Sequence, residues 1–426
     1  MKKSFVIKGD ICYCQSLENL LTIKDGFLVC QDGISQGAFA NLPDQYSDFE
    51  LLDFSNMLII PGLVDLHLHG PQNHYKGLGM DLELLDWLNT YTFPEEAKFK
   101  DLDFAMDKYR LFVEEIKRSP STRLSIFASL HLPATILLMD LMEESGLISY
   151  VGRVNMDRNG GADLEEDSAE DSVNTTLAWL EAVKAKGYER TFPIITPRFI
   201  PSCSDQLMDS LSKIRSSYKL PVQSHLSENQ GEILWVQDLC PGSKSYADAY
   251  DQFKMLGFQG LKTIMAHCVW TSPEEEELLK DKDVFVAHCP DSNTNLSSGI
   301  APIRRFLDNG LKLGLGTDVG AGSSLSIFKA MVDAIQVSKM YWRLVDQNAK
   351  ALSAKEAFYL GTLGGGEFFG KLGSFAEGYE FDCLVVDDSR FSPWSEWNIE
   401  ERLERVIYLA QDSDLVSKFV RGRKIF

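Results

Sequence analysis

The chain has 426 residues, a mass of 47.9 kDa, a formal net charge of -20 and a pI near 4.8. That length exceeds the usual size of one domain and allows a sizeable core, which predicts a large barrel with a smaller module. The negative charge is unrelieved by any Lys/Arg cluster with interleaved aromatics, so it repels polyphosphate and argues against a nucleic-acid partner.

The basic start Met1-Lys2-Lys3 is followed by Lys8 and Asp10 before any apolar stretch long enough for a signal peptide. The most apolar long window, Leu124 to Met142, carries His131, Pro133 and Asp140 and fails as a membrane span. No membrane partner is expected. The eight cysteines include no C-x-x-C pair, which predicts reduced, mostly buried thiols in the cytoplasm. Cys268 and Cys289 each follow a candidate site histidine and are read as packing residues.

Residues 4 to 57 are short strand-like runs broken by Gly, Asp and Asn, among them Ile23 to Val29, read as a hairpin. From Leu58 the pattern becomes strand then helix. Apolar strand candidates lie near Leu58, Leu124, Tyr150, Phe192, Pro221, Lys262, Val284 and Lys312, the number that closes a (β/α)8 TIM-type barrel. Helix starts are read at Asp81-Leu-Glu-Leu-Leu-Asp-Trp-Leu and at Ser272-Pro-Glu-Glu, where Ser can cap and Pro suits the first turn. The acidic stretch Glu165 to Asp171 is read as the solvated start of a helix through Val173 to Val183. Strand character returns in 373 to 386 and 414 to 426. The expected α/β architecture is therefore a barrel over residues 61–372, with a small β-sandwich-like domain from residues 1–60 and 373–426.

The chemistry is carried by strand ends. In Pro61-Gly-Leu-Val-Asp-Leu-His67-Leu-His69 the two histidines lie two apart, so both can reach one ion from one face of a strand. Further apolar runs end on His225, His267, His288 and, in Leu313-Gly-Leu-Gly-Thr-Asp, on Asp318. Parallel barrels collect their active sites at such ends. With His67, His69, His225 and Asp318 as ligands, a metal could keep a position for water and lower its pKa toward neutrality. Three imidazoles and a carboxylate suit zinc, one per chain, and would also accept iron.

Glu228, three residues after His225, is placed to take the water proton and return it to a substrate nitrogen or the leaving group. Asp318 can act as ligand and as second proton acceptor. His267 is left between two roles, ligand or contact to hydroxide and substrate. His288 is read as supporting the site, His131 as a substrate contact, and His74 as loop structure.

This constellation resembles the amidohydrolase superfamily over nearly the whole chain, on PGLVDLHLH, the strand-end histidines and GLGTD. Within it, the match sharpens toward the guanine deaminase family. The segments that carry this are Gly70-Pro-Gln72, Asp81 to Glu96, ITPRF at Ile195 to Phe199, QSHLSEN at Gln223 to Asn229, and TLGGGEFFGKLGSF at Thr362 to Phe375. The resemblance implies hydrolytic deamination of guanine to xanthine and ammonia in a zinc-dependent homodimer. Gln72 and Arg198 would then hydrogen-bond the purine edge, Phe199 would line the pocket, Gly70 and Pro71 would shape its wall, and His69, His225, Glu228 and Asp318 would approach the substrate. The chain departs from the family pattern at Ser119-Pro-Ser-Thr and at Asp291, where Asn is expected. The helical H-x-E and P-C-x-x-C arrangement of the other zinc deaminases is absent. Another aminopurine, a pterin or a triazine is the alternative substrate class, because loops retune such scaffolds. A non-catalytic barrel would be expected to have lost ligands, which this chain retains.

Overall fold

In a computed structural model, residues 4–161, 164–391 and 397–426 are described. The start Met1-Lys2-Lys3 lies outside them. Four strands come first: β1 (Phe5–Cys14), β2 (Leu20–Gln31), β3 (Ile34–Phe39) and β4 (Glu50–Pro61). Next, alternating with helices, are β5 (Leu63–His69), β6 (Ser121–Phe127), β7 (Ile148–Gly152), β8 (Val154–Asn155), β9 (Thr191–Pro193), β10 (Thr196–Pro197), β11 (Val222–Leu226), β12 (Thr263–His267), β13 (Phe285–His288) and β14 (Lys312–Leu315). Last come β15 (Cys383–Val386), β16 (Leu415–Val420) and β17 (Arg423–Lys424). The fold is mixed α/β.

Both chain ends share one sheet, as expected, but it is a single mixed ladder of seven strands in the order β17-β16-β15-β4-β1-β2-β3 rather than a sandwich. The reason lies in β4, which pairs parallel with β1 on one edge and antiparallel with β15 on the other, leaving no break at which two sheets could separate. The strand candidate near Leu58 is the end of β4 and belongs to this sheet. After Gly62 the chain passes directly into β5. The hairpin expected at Ile23 to Val29 does not form either. Asp25 takes a left-handed φ of 50°, and its N–H is bound by the Asp10 carboxylate at 2.8 Å, so β2 runs on through a bulge. The reversal occurs instead at Asp32-Gly33, a two-residue turn with φ of 53° and 83°, which glycine favours at its second position.

Two four-stranded parallel sheets, β5-β6-β7-β9 and β11-β12-β13-β14, carry the chemistry. They meet on both edges. Ile195 bridges Val222, while Asp318 N–H donates to His67 O at 2.8 Å and His69 N–H to Val319 O at 3.0 Å. Val64 and Leu66 of β5 pack in one apolar cluster with Ile264, Ala266, Phe285 and Ala287 of the other sheet. β5, β6 and β12 are buried on both faces, which is why these runs read as almost continuously apolar.

Helix ends follow their local signals. Ser272 accepts from Glu275 N–H in a capping box and starts Pro273–Asp281. Ser168 caps Ala169–Lys186. Glu166, just before it, is not solvated as expected; it is buried in an ion pair with Arg153. The run from Asp81 gives only one helical turn, Leu84–Trp87, before the chain widens at Leu88–Thr92 and resumes as Phe93–Ala97. Pro94 inside this run removes a backbone donor and limits regular helix. Among the described residues no helix is long and apolar enough to cross a membrane, and seven of the eight cysteines are buried.

Candidate active site

The strand-end residues converge. β5 carries a register irregularity between Asp65 and Leu68, a bulge that re-aims side chains near its end, and His67 and His69 emerge with ring centroids 5.0 Å apart. His67 Nε2 lies 3.1 Å from Asp318 Oδ1, His69 Nε2 lies 3.4 Å from the same oxygen, and His69 Nε2 lies 3.2 Å from His225 Nε2. Ligands of one four-coordinate zinc at its usual bond lengths stand roughly 3.3 Å apart.

The donor set fits a divalent cation. His225 Nδ1–H donates to Arg198 O at 2.6 Å, which fixes the tautomer and turns the Nε2 lone pair toward His69. Both ring nitrogens of His67 are buried without a hydrogen-bond partner. Burial, together with neighbouring imidazoles, holds His67, His69 and His225 well below the usual histidine range, so they stay neutral and able to ligate. Asp65 holds this corner in place: it accepts from His67 N–H at 3.2 Å and from Thr317 Oγ1 at 2.6 Å. A Cβ at Gly316 would stand 2.9 Å from His67 Cβ, so only glycine permits this approach of β14 to β5.

Glu228 and His267 flank the donor set. His267 Nδ1 donates to Asn293 Oδ1 at 2.9 Å, leaving Nε2 facing Glu228 Oε2 at 3.3 Å and Asp318 Oδ2 at 3.8 Å. Ser298 Oγ donates to Glu228 Oε1 at 3.3 Å. Burial, and then the nearby Asp318 and Glu232 carboxyls, push Glu228 well above the ordinary carboxylate range. Asp318 is likewise raised by burial. A buried acid with an elevated pKa beside a cation site is equipped for proton transfer near neutral pH.

These groups open into one pocket. It is floored by His69, His225, Glu228, His267 and Asp318, edged by Gln72 and Arg198, and walled by Leu84, Trp87, Leu88, Phe199 and Leu296. A flat apolar slot with a few fixed polar groups is the shape a planar heterocycle needs. Gly70 and Pro71 do not line it. Gly70 faces Leu138 and Tyr109, and Pro71 O accepts from His74 Nδ1 at 2.8 Å. His131 is also elsewhere, in a separate surface groove with Pro94, Ala97 and Arg153, because the helix Leu132–Ser145 begins immediately after it and turns it outward. His74 lies in the 3-10 helix Gly70–Tyr75 rather than in a loop and pairs with Glu95 at 2.9 Å. His288 is buried, with both ring nitrogens unpartnered and its pKa pushed down to about 3 by burial. Asp291 accepts from Ser323 N–H and Oγ at 2.7 Å and pairs with Lys329, holding the loop beyond Asp318.

Several residues with a part in this geometry were not singled out in the sequence. Glu96 bonds to both Gln72 and Arg198. Glu232 accepts from Glu228 N–H at 3.0 Å and from Tyr246 Oη at 2.7 Å. Phe127 lies under three site imidazoles, with centroids 4.7 to 4.9 Å away. Only Glu232 had a local signal, the Asn229-x-x-Glu232 capping box of the helix Gln230–Leu239.

The chain belongs to the amidohydrolase family, whose model matches residues 58–425. More particularly, it is 37% identical to the guanine deaminase of Dictyostelium discoideum, over 94% of this chain and 88% of that protein. The crystal structure of guanine deaminase from C. acetobutylicum, with bound guanine in the active site, superposes with a TM-score of 0.96 at 44% identity, covering all of both chains. An adenosine deaminase from Xanthomonas campestris with bound zinc has a TM-score of 0.82 at 20% identity over 99% of this chain and 92% of that one, a likeness of fold alone.

Proposed function

We propose that the chain is a zinc-dependent guanine deaminase, converting guanine and water to xanthine and ammonia. The observation that carries this reading is the meeting of the His67, His69, His225 and Asp318 donors with Glu228 and the Gln72–Arg198 edge in one buried pocket. It is supported by a full-length match to a guanine-bound deaminase. His67, His69, His225 and Asp318 would hold the ion, which when bound makes water acidic enough to attack carbon at neutral pH.

The chain's own residues do the rest. Glu228 takes a proton from the attacking water and passes it to the amino nitrogen. A C–O bond forms at the amino-bearing ring carbon, the C–N bond breaks and ammonia leaves, while the second water proton, accepted by Asp318, is returned to the neighbouring ring nitrogen, so both protons end in the products. Asp318 orients the water and is the second proton acceptor, while His267, steadied by Asn293, contacts water and ring through Nε2. Gln72 and Arg198 read the polar edge of the base, and Phe199 with Trp87 covers its faces.

The same reading takes the eight strands β5, β6, β7, β9 and β11 to β14 as a closed barrel of residues 61–372, joined to an end domain of 1–60 and 373–426. It also takes the protein as a homodimer and as cytoplasmic, a compartment that mostly buried thiols suit. The test is ammonia release and loss of guanine absorbance by purified, metal-quantified protein, beside adenine, cytosine and a pterin, with and without chelator. Chelator-sensitive turnover of guanine alone is expected. Turnover of another ring instead would overturn the substrate and keep the metal chemistry.

A further inference from the structure

Arg198 and Gln72 stand at the pocket edge, but neither is free. Arg198 Nη1 donates to Glu96 Oε2 at 2.7 Å and Nη2 to Glu96 Oε1 at 3.1 Å, while Gln72 Nε2 donates to Glu96 Oε1 at 2.8 Å. Gln72 Oε1 in turn accepts from Gly320 N–H at 3.3 Å. Glu96 is 2% exposed and Arg198 3%. The guanidinium is further seated over the Phe93 ring, 5.1 Å from its centroid. Phe93 and Glu96 belong to the same short helix, Phe93–Ala97, so one element fixes both the charge and the plane of Arg198.

Two physical consequences follow. A side-chain amide can flip by half a turn and exchange donor for acceptor; here Glu96 on one end and Gly320 N–H on the other leave a single orientation. An arginine has five N–H donors in a rigid fork; Glu96 takes two and Met156 Sδ, 4.0 Å from Nη1, meets a third, so two remain for a ligand while the net charge at the pocket edge is cancelled. A lone buried guanidinium would draw in any anion.

We infer that Glu96 is the positioning residue that sets purine specificity: it locks Gln72 and Arg198 into one donor pattern and neutralises the edge, so the pocket holds a neutral oxopurine in preference to an anionic one. This rests on the deaminase reading above. It matters for turnover because the product has gained a second oxo group and is the stronger N–H acid, so a neutral edge releases it while an unpaired arginine would retain it.

The test compares wild type, Glu96→Gln and Glu96→Asp, each checked for melting temperature and metal content. Steady-state kinetics with guanine are paired with xanthine inhibition at pH 6.5 and pH 8.5. In Glu96→Gln, KM for guanine is expected to rise by about tenfold or more, with a smaller fall in kcat. Xanthine inhibition should tighten toward the higher pH relative to wild type, with Glu96→Asp lying between. A merely structural role would lower the melting temperature and kcat while leaving KM and the pH trend of product inhibition as in wild type, which overturns the inference. Failure of wild type itself to deaminate guanine would overturn the functional reading and this inference with it; wild-type turnover with an unchanged KM in Glu96→Gln overturns the inference alone.

Discussion

Replacing Glu228 by Gln isolates the proton-transfer step. The amide keeps the volume of a side chain that is 3% exposed, and it can still meet Ser298 Oγ and His267 Nε2, each 3.3 Å from the carboxylate oxygens. What is lost is the ability to take and return a proton. A positioned general acid–base contributes about 10² to 10⁴ in rate, equivalent to about 2.7 to 5.4 kcal/mol of barrier. Glu228 is not one of the four proposed ligands, so bound metal per chain should stay constant while kcat falls by at least about 10². Burial and the Asp318 and Glu232 carboxyls raise the wild-type group, so its basic form is lost as pH falls through a value above the ordinary carboxylate range. The acid limb of the kcat/KM profile should therefore sit above about pH 4.3, the unperturbed value for Glu, and be absent from the residual activity of the variant. Metal-quantified stopped assays from pH 5 to 9 give both readouts. A loss in kcat of less than about tenfold with full metal content would refute the assignment.

The remaining expectations concern metal, domain contact and charge. His69→Ala should lose most bound metal, and with it activity, in elemental analysis and ammonia assays, since it removes the donor that faces both His225 and Asp318; full metal retention would remove His69 from the ligand set. Arg123→Met should destabilise the protein by about 3 to 5 kcal/mol in urea unfolding, because Arg123 Nε and Nη2 grip Asp382 at 2.6 and 2.8 Å and tie β6 to the end sheet. Lys418 is buried, with Nζ donating to Lys117 O and Ser121 O, and burial pushes its pKa down to about 7. A depressed folded pKa means stability is present above the unfolded value of about 10.4 and lost as pH falls toward 7. Wild type should thus gain stability from pH 7 to 10 relative to Lys418→Met, by at most about 1.4 kcal/mol per pH unit; parallel curves would refute it.

The gathering of histidines and an aspartate at strand ends was legible in the sequence, and the polar edge of the pocket only in outline. Ligand chemistry admits few residue types, and β5, β11, β12 and β14 each end near one, so His67, His69, His225, His267 and Asp318 could be read from strand ends. The role of Glu96 could not. It lies 24 residues from Gln72 and 102 from Arg198, and no local pattern ties an acid in Phe93–Ala97 to either. His131 failed for the opposite reason: its place after an apolar run was right, but the run ends at Phe127, and the four-residue step into a helix carries it away from the pocket. In the end sheet, Asp25-Gly26 has the composition of a turn, and only the Asp10 carboxylate across the ladder turns it into a bulge.

The electrostatics of the pocket argue for a cation independently of motif. Asp65, Glu96, Glu228, Glu232 and Asp318 are each no more than 4% exposed. Glu96 has Arg198. The other four are raised by burial, Asp65 to about 7, and none has a Lys or Arg ion-pair partner among the described residues; His67, His69 and His225 are held neutral and supply no compensating charge. Buried carboxyls without a matching charge must either take up protons or share a metal ion. Glu232 has a third recourse, three hydrogen-bond donors from Tyr246, Glu228 N–H and Asn229 N–H. Asp318 has the short approach to two imidazole nitrogens instead. A divalent ion held by the proposed ligands would offset Asp318 and lower the cost of an ionised Glu228 beside it, so the same charge would free the proposed proton acceptor to work near neutral pH.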